Sequence, residues 1–579
     1  MNENKSNDIE VLKKFLEKNN LSIEKFYVCE SYDMLSGTKR LTNRWYYIQD
    51  GKILGLGIFD TDLIDIDLSE LKELEILCLD NCGISELSIS NLPQGLVELY
   101  LSNNITLRNI NLAGLTKLKK LDLSRCGFNS ITSSSLPSCL VELVLKNNKY
   151  LTHVDLAGLQ NLQKLDLSNC AISDLNLSKL PPSIVELYLS ENGITQVDLV
   201  HLKDLKKLDL SQCVINDTSL LKLPEEINEL NLSGNRLKQI NLSHLKGLRK
   251  LNLCNCGITS LSSKDLPEKL VELNLRANKN LQQLDLSELL ELKALDLVSC
   301  DLENLNNIKL PPKVNLLKLF SNRYLQEADL SYLKELKTLH FGDTFISDLK
   351  SIKLPSSIEE LHLVMMILKT VELSDLVNLR YLDISFCEIR ELKLKNLPNL
   401  TELYISQTRG ISEIDFSELK NLKVLTFQNS IKSINSSQLP EGLKKLNLSN
   451  NFYLENVDLA ELTELEVLDL SRCNISDLSL SKLPPNIVEL FIEENRRLTK
   501  LDLSSFPNLK IINARNCDIR EVNLQNLPNL NSLYLEGNIN LTNVNLFNLP
   551  QLETLVLPKE VKDNVKITGF DRNKIQWNW

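Results

Sequence analysis

The composition of this 579-residue chain argues against two broad classes of protein. Its net charge of −11 shows that it lacks the basic excess that follows a nucleic-acid backbone, so we expect no nucleic-acid partner. No stretch approaches the ~18 consecutive apolar residues of a membrane span, and the first residues do not resemble a secretory signal. We therefore expect a cytoplasmic protein with no membrane partner; an effector exported by a different signal would have the same composition.

Residues 1–52 precede a long run of repeats and are predicted to form an N-terminal cap made of a helix and a β-hairpin. Asp8 is suited to cap a helix over residues 8–19. The apolar positions of that helix share one face and are Ile9, Leu12, Phe15 and Leu16. Residues 44–54 are typical of a hairpin with an Asp-Gly turn. A cap would shield the first leucines of the repeats; a small interaction module is the alternative.

The repeats cover residues 53–560 and consist of the string Leu-x-x-Leu-x-Leu-x-x-(Asn/Cys), which recurs every 21 or 22 residues. About 24 turns result. We call the last position of each string its ladder position. Every second turn opens with Leu-Pro-x-x-Leu, as at Leu92-Pro93. The ladder position alternates between two residue types, as in Cys82, Asn104, Cys126 and Asn148.

This pattern resembles the leucine-rich-repeat family over nearly the whole chain. The short period resembles bacterial-type repeats such as internalin-like solenoids, and the Leu-Pro turns resemble those of bacterial effectors, although the effectors usually have a shorter period. The resemblance implies an α/β-type repeat solenoid, a horseshoe or arc with one long parallel β-sheet on its concave face and short or irregular convex segments. Bacterial ligase effectors carry a catalytic domain after their repeats, and this chain departs from that pattern.

Stacking explains why one turn requires the next. Each turn contributes a short strand whose inward leucines cannot be buried alone, and strands ~4.8 Å apart build a continuous leucine core. An Asn at the ladder position can pair with backbone groups of neighbouring turns. Cysteines that alternate with asparagine lie ~9.6 Å apart, beyond the ~7 Å limit for a disulfide, so we interpret them as buried free thiols in a reducing compartment.

The residues six, four and two positions before each ladder position should point out of the concave face, because side chains alternate along a strand. Six positions before it, Glu and Lys alternate over nine turns from Glu98 to Glu272. Opposite charges on adjacent strands support each other, so this part of the face neutralises itself. The alternation stops at Ala294, Leu316 and Thr338.

Beyond this break the face becomes rich in aromatic and apolar residues, which is the composition of interface cores. We predict that a protein partner binds the concave face here; decay of repeat copies is the alternative. The candidate binding residues are Lys318, Phe320, His340, His362, Val364, Met365, Tyr381, Phe386 and Tyr404.

A zinc site is a weaker interpretation of the same region. His340, His362 and Asp383 share one register on three consecutive strands, and imidazoles ~4.8 Å apart could share a metal ion with a carboxylate. Adjacent surface histidines are far commoner than such sites, and no fourth ligand is evident. We therefore expect neither a metal nor another cofactor.

Residues 561–579 contain two tryptophans and are predicted to form the C-terminal cap. The sequence has no phosphate-binding loop, no Gly-x-Ser-x-Gly and no His-Glu-x-x-His motif. We therefore expect a non-enzymatic, monomeric scaffold that binds a protein partner. Two alternatives remain at this stage: an exported effector or sensor that binds through its ends, and an enzyme whose site is assembled across turns.

Overall fold

The computed structural model describes residues 7–29, 44–172, 177–237, 240–411, 415–480 and 482–578. The chain forms two compact units. Unit 1 consists of residues 1–292 and 309–311, and unit 2 of residues 293–308 and 312–579. Both are made of short strands and 3-10 turns, and the predicted repeat solenoid is confirmed.

Each turn contributes one strand to a sheet on one face of its unit, and we call these the face strands. In unit 1 their bounds are Tyr27–Val28, Trp45–Gln49, Lys52–Phe59, Ile76–Asp80, Glu98–Tyr100, Lys120–Asp122, Glu142–Val144, Lys164–Asp166, Glu186–Tyr188, Lys207–Asp209, Glu229–Asn231, Lys250–Asn252 and Glu272–Asn274. In unit 2 they are Ala294–Asp296, Leu316–Lys318, Thr338–His340, Glu360–His362, Tyr381–Asp383, Glu402–Ser406, Val424–Gln428, Lys445–Asn447, Val467–Asp469, Glu489–Phe491, Ile511–Asn513, Ser532–Tyr534, Thr554–Pro558 and Gln576–Asn578.

Within each unit the face strands of consecutive turns pair in parallel and in register. Glu186–Tyr188, for example, pairs residue by residue with Lys207–Asp209, and Glu360–His362 pairs with Tyr381–Asp383. The exception is the first hairpin, in which Trp45–Gln49 runs antiparallel to Lys52–Phe59. Equivalent positions of the repeat therefore line up in rows across the strands.

A second set of short strands lies between the face strands along the chain. Their bounds are Ser130–Thr132, His153–Asp155, Val197–Asp198, Leu221–Lys222, Ser260–Ser262, Gln283–Asp285, Ile308–Lys309, Ala328–Asp329, Ile352–Lys353, Thr370–Glu372, Glu391–Lys393, Ser433–Asn435, Asn456–Asp458, Lys500–Asp502, Glu521–Gln525, Asn543–Phe547 and Lys566–Thr568. Single 3-10 turns come before many of the Leu-Pro pairs, among them Ile89–Asn91, Ser133–Ser135, Ser263–Asp265 and Ser436–Gln438.

Ladder asparagines join neighbouring turns through their side-chain amides. The Asn104 Nδ2 group donates to the carbonyl oxygens of Leu79, one turn earlier, and Leu101, at 2.9 and 2.8 Å. Its Oδ1 atom accepts from the backbone N–H groups of Cys82 and Ile84, both at 3.0 Å. One buried side chain thus satisfies four backbone groups that no strand pairing reaches.

Ladder cysteines make a weaker version of the same link. The Cys256 thiol donates to the carbonyl of Leu232, one turn earlier, at 3.1 Å, and the Cys387 thiol donates to that of Leu363 at 2.9 Å. All thirteen cysteines are free. Burial raises the pKa of the Cys256 thiol to about 12, so it stays protonated and unreactive.

The α-helix Asn7–Lys18 packs against the first turns and buries Leu12, Phe15 and Leu16. The prediction that Asp8 caps this helix is wrong, because the helix already includes Asn7; the Asp8 carboxylate instead accepts from the backbone N–H of Ile53 at 3.0 Å. A four-residue helix spans Asp477–Leu480. In the part of the chain that the structure describes, no helix has the length and apolar character needed to cross a membrane.

Candidate binding face

The face strands bury every second side chain and present the others. In Glu186–Tyr188 the central leucine is fully buried while the two flanking residues are half-buried. Salt bridges between turns cover much of the face of unit 1: Lys120 and Lys164 both contact the Glu142 carboxylate, at 3.4 and 3.3 Å. The predicted alternation of Glu and Lys therefore produces pairs of opposite charge on neighbouring strands.

On the face of unit 2, four rings from four consecutive strands stack in one column. The imidazoles of His340 and His362 lie 4.1 Å apart between centroids, at 11° to each other. The His362 ring is 4.7 Å from that of Tyr381, which is 5.1 Å from that of Tyr404. We call these four side chains the ring column. All four are half-buried, so each shows part of its ring to solvent.

The ring column combines two rows of the repeat. His340, His362 and Tyr404 stand four positions before their ladder positions, whereas Tyr381 stands six before its own. Sequence reasoning placed all four on the face, and the structure brings them together because ring size bridges the offset between the rows. Centroid distances of 4.1 to 5.1 Å are typical of packed aromatic side chains.

The apolar row two positions before the ladder runs beside the ring column. It contains Phe320 and Val364, both half-buried, with Gly342 between them. A Cβ atom on Gly342 would lie 2.1 Å from the carbonyl oxygen of Val364, so only glycine allows the backbone of these two turns to approach this closely. Lys318 lies on the strand next to His340 and pairs with it in register.

Met365 and Phe386 do not lie within the strands. Each occupies the residue immediately before the ladder position, where the backbone is left-handed with φ of 59° and 60°. Most other turns place Asn, Gly or another polar residue there, as at Asn103 and Asn450. Bulky apolar residues are rare in this conformation because of steric strain. Their side chains are 50% and 45% exposed, so burial in the core does not explain them.

Three further apolar side chains in the same turns are exposed and were not among the candidate binding residues. Tyr324, Phe345 and Ile367 are 54%, 58% and 45% exposed and lie one or two residues after their ladder positions. The rings of Tyr324 and Phe345 meet edge to face with centroids 6.2 Å apart. The signal for them was an aromatic or branched residue one or two positions after the ladder position, but the sequence did not show that this corner of the turn faces outward.

Burial sets the protonation states of the ring column. It lowers the pKa of His340 to about 4, with smaller contributions from the nearby His362 and Lys318. Burial also lowers the pKa of His362, although the carboxylates of Asp383 and Glu360 oppose the shift. The pKa of Tyr381 is raised to about 12 by burial and by neighbouring carboxylates. The column is therefore uncharged at neutral pH.

The stacked geometry does not suit the zinc interpretation. Rings that lie 11° from parallel present their faces to each other, so the nitrogen lone pairs of His340 and His362 lie in nearly parallel planes and do not converge on a shared ion. Across the residues for which coordinates are described, no group of three or more His, Cys, Asp or Glu side chains has the arrangement of a metal site.

Comparison with protein families identifies the repeats. A family model described as Leucine Rich repeat matches residues 158–180, 201–223 and 462–483. A second model, described as Leucine Rich Repeat, matches residues 117–143 and 378–400. No curated protein matches the sequence. The matched segments lie in both units and follow the predicted period.

Solved structures share the fold at low sequence identity. A structure described as a TLR13-ssRNA13 complex is 19% identical, with a TM-score of 0.51, and the match covers 88% of this chain and 94% of that one. The mouse RP105/MD-1 complex is 19% identical, with a TM-score of 0.59 and coverages of 82% and 84%. YopM from Yersinia enterocolitica is 24% identical, with a TM-score of 0.39 and coverages of 89% and 91%. For the first two structures, whose TM-scores exceed 0.5, the similarity at this identity concerns the fold alone.

Proposed function

We propose that this chain, whose repeats match leucine-rich-repeat family models in both units, is a non-enzymatic scaffold that binds a protein partner through the face of unit 2 between residues 316 and 406. The observation that carries the proposal is the ring column. Four half-buried rings on consecutive strands form a rigid apolar surface that remains open to solvent.

The physical properties of the ring column suit recognition of a protein. Aromatic side chains provide large contact areas and are enriched at the energetic centres of interfaces. Because the rings already support one another, binding would cost little side-chain entropy. The row of Phe320 and Val364 on one side, and the exposed side chains of Met365 and Phe386 at the corner, extend this apolar surface.

The two bulky residues with a left-handed backbone conformation support the proposal independently of the ring column. Met365 and Phe386 combine backbone strain with exposure, and neither property contributes to the stability of the fold. Strained, exposed residues tend to occur where function requires them. Decay of the repeat would more readily have produced small or polar residues at these positions, since those relieve the strain.

The partner class also follows from charge. The TLR13 structure is named as a complex with single-stranded RNA and the RP105 structure as a complex with MD-1, so solenoids of this fold accept different macromolecules. The net charge of −11 and the uncharged ring column disfavour a polyanion here. Thirteen free thiols fit a reducing compartment, and we propose that the monomer acts in the cytoplasm.

A pull-down from candidate cell lysates, which we call the capture experiment, tests this proposal. The wild-type chain is compared with a variant in which Phe320, His362 and Tyr404 are replaced by Ser, and with a control variant in which the half-buried Tyr188 on the face of unit 1 is replaced by Ser. All three proteins should first show comparable thermal unfolding. We expect the wild type and the control to capture the same protein and the triple variant to lose it.

Other results would contradict the proposal. Capture of the same protein by the triple variant would place binding elsewhere, for example at the chain ends. Retention of single-stranded RNA, added as a competitor at physiological salt, would reassign the partner class. Turnover of a captured molecule would contradict the non-enzymatic part of the proposal.

A further inference from the structure

The sequence Glu-Leu-Tyr occurs three times on the face strands, at residues 98–100, 186–188 and 402–404. In each case the Tyr hydroxyl donates to the carboxylate of the Glu two residues earlier. The O–O distance is 2.8 Å for Tyr188 and 2.9 Å for Tyr404, and the Tyr100 hydroxyl makes the same bond to Glu98. The three copies therefore share one local geometry, and differences between their surroundings can be compared directly.

In the first two copies the next strand places a lysine over the tyrosine ring. The Lys120 ammonium lies 5.6 Å from the ring centroid of Tyr100, and the Lys207 ammonium lies 5.6 Å from that of Tyr188. These lysines stand opposite the Glu of the motif in the strand register, six residues before their own ladder positions. An ammonium at this distance is attracted by the negative face of the ring.

The third copy has no such cation. The residue opposite Glu402 on the next strand is Val424, in the register position that Lys120 and Lys207 occupy in the other copies. Lys423, one residue earlier, donates to the carbonyl of Gly442 at 3.0 Å. Among the residues whose coordinates are described, no Lys or Arg lies over the ring of Tyr404 or of Tyr381.

The strand on the other side adds negative charge and a second ring. Tyr381 stands opposite Glu402, and Asp383 stands opposite Tyr404. Burial raises the pKa of both tyrosines, and the nearby carboxylates of Asp383 and Glu402 add to the shift.

Tyr188 has carboxylates in equivalent places, since Asp166 stands opposite it and Glu186, Asp166 and Asp209 add to the raised pKa that burial gives it. The difference lies in the cations: Tyr188 has lysines opposite its Glu on both neighbouring strands, and Tyr404 has none.

We infer that Tyr381 and Tyr404, together with Asp383 and Glu402, form a subsite for an Arg or Lys side chain of the protein partner. The partner would supply in trans the cation that Lys120 and Lys207 supply within the chain. This inference rests on the proposed function and specifies the partner's chemistry: a protein segment with an exposed basic residue. Arg515, which lies 4.2 Å from the Tyr534 ring centroid and 2.9 Å from the Glu536 carboxylate, shows the same combination of groups filled by an arginine.

The test restores the missing cation within the chain. Val424→Lys places a lysine where the other two copies have one. The matched control is Val467→Lys, which adds the same charge at the same register position of another turn of unit 2. On the strand that precedes Val467, Asn447 occupies the position that Tyr404 occupies before Val424, so the new lysine meets no tyrosine ring. Both positions are half-buried and begin a face strand, and this position holds lysine in other turns.

The probe is the peptide acetyl-Gly-Gly-Arg-Gly-Gly-amide, compared with the same peptide carrying neutral citrulline in place of Arg. Binding is measured on the full chain by ligand-observed NMR. We expect the Arg peptide to bind the wild type and Val467→Lys equally and to bind Val424→Lys about tenfold more weakly, while the citrulline peptide shows little binding to any of them.

Three results would overturn the inference: equal binding of the Arg peptide to Val424→Lys and to the wild type, equal binding of the two peptides, or no binding of the Arg peptide.

The outcome of the capture experiment is independent of the outcome of the peptide experiment. A partner that requires the ring column but lacks sensitivity to Val424→Lys would leave the proposed function standing and remove the cation subsite. Peptide binding without any captured partner would keep the subsite and remove the proposed function.

Discussion

At the scale of single residues, the two types of ladder residue contribute differently to the stack. A ladder asparagine such as Asn104 satisfies two carbonyls and two N–H groups, while a ladder cysteine such as Cys126 donates a weak S–H···O bond. The sequence predicted different roles for the two: asparagine as a partner of backbone groups in neighbouring turns, and cysteine as a buried free thiol. The structure shows that every second turn carries most of the polar connection between its neighbours.

Replacing Asn278 tests this difference. Its Nδ2 group donates to Leu253 and Leu275, and its Oδ1 atom accepts from Cys256 and Ile258, at 2.7 to 3.0 Å. Asn278→Ala leaves these buried backbone groups without partners, and we expect the free energy of unfolding of unit 1 to fall by about 3 kcal/mol. The comparison is Cys256→Ala, expected to cost about 1 kcal/mol. Urea unfolding measures both, and an equal loss would contradict the assignment.

The left-handed residues of the binding face give a second prediction at this scale. Phe386→Asn replaces a strained aromatic residue with the residue type that favours this conformation, at a position 45% exposed. We expect the free energy of unfolding to rise by about 0.5–1 kcal/mol while partner affinity falls. The reverse change in another turn, Asn450→Phe, should destabilise the fold. A Phe386→Asn protein that is less stable than the wild type would show that Phe386 serves packing.

At the scale of strands, the period of the repeat predicted most of the fold. Because every turn has the same backbone, the register of Glu98 against Lys120 holds again for Glu186 against Lys207, and the rows of the face follow by counting. Contacts between side chains of different rows could not be predicted from the repeat in this way. The stack of Tyr381 on His362 depends on ring size and tilt, and the corner positions of Met365 and Phe386 depend on a local change in backbone conformation.

The histidine stack makes the stability of unit 2 depend on pH. Burial lowers the pKa of His340 from 6.5 to about 4, so between these values the unfolded chain binds more protons than the folded chain. The contribution of His340 to the free energy of unfolding is therefore highest above pH 6.5 and decreases as the pH falls towards 4. His340→Phe keeps a ring in the column but does not titrate.

Thermal unfolding at pH 7 and pH 4.5 tests this dependence. We expect the wild type to lose more of its unfolding temperature over this interval than His340→Phe does. Other titrating groups are common to both proteins and cancel in the comparison. An identical loss in the two proteins would mean that His340 is not held neutral by the fold.

At the scale of the whole molecule, the two units present faces of different character. Unit 1 carries Glu and Lys in alternation, joined by pairs such as Lys164 with Glu142, and such a face gains little by binding. Unit 2 carries the ring column and exposed apolar residues over four consecutive turns. Since turns in a repeat protein interact mainly with their neighbours, the function can be concentrated in a few of them without affecting the rest.

The most direct test of the binding face is hydroxyl-radical footprinting of the full chain with and without its captured partner, read out by mass spectrometry. The side chains of His362, Tyr381, Tyr404, Met365 and Phe386 all react with the radical and show part of their surface to solvent. We predict that the partner protects these residues and leaves Phe491 and Tyr534, on later face strands of unit 2, unchanged. Protection of Phe491 and Tyr534, or of the first turns, with no change in the ring column would contradict the account.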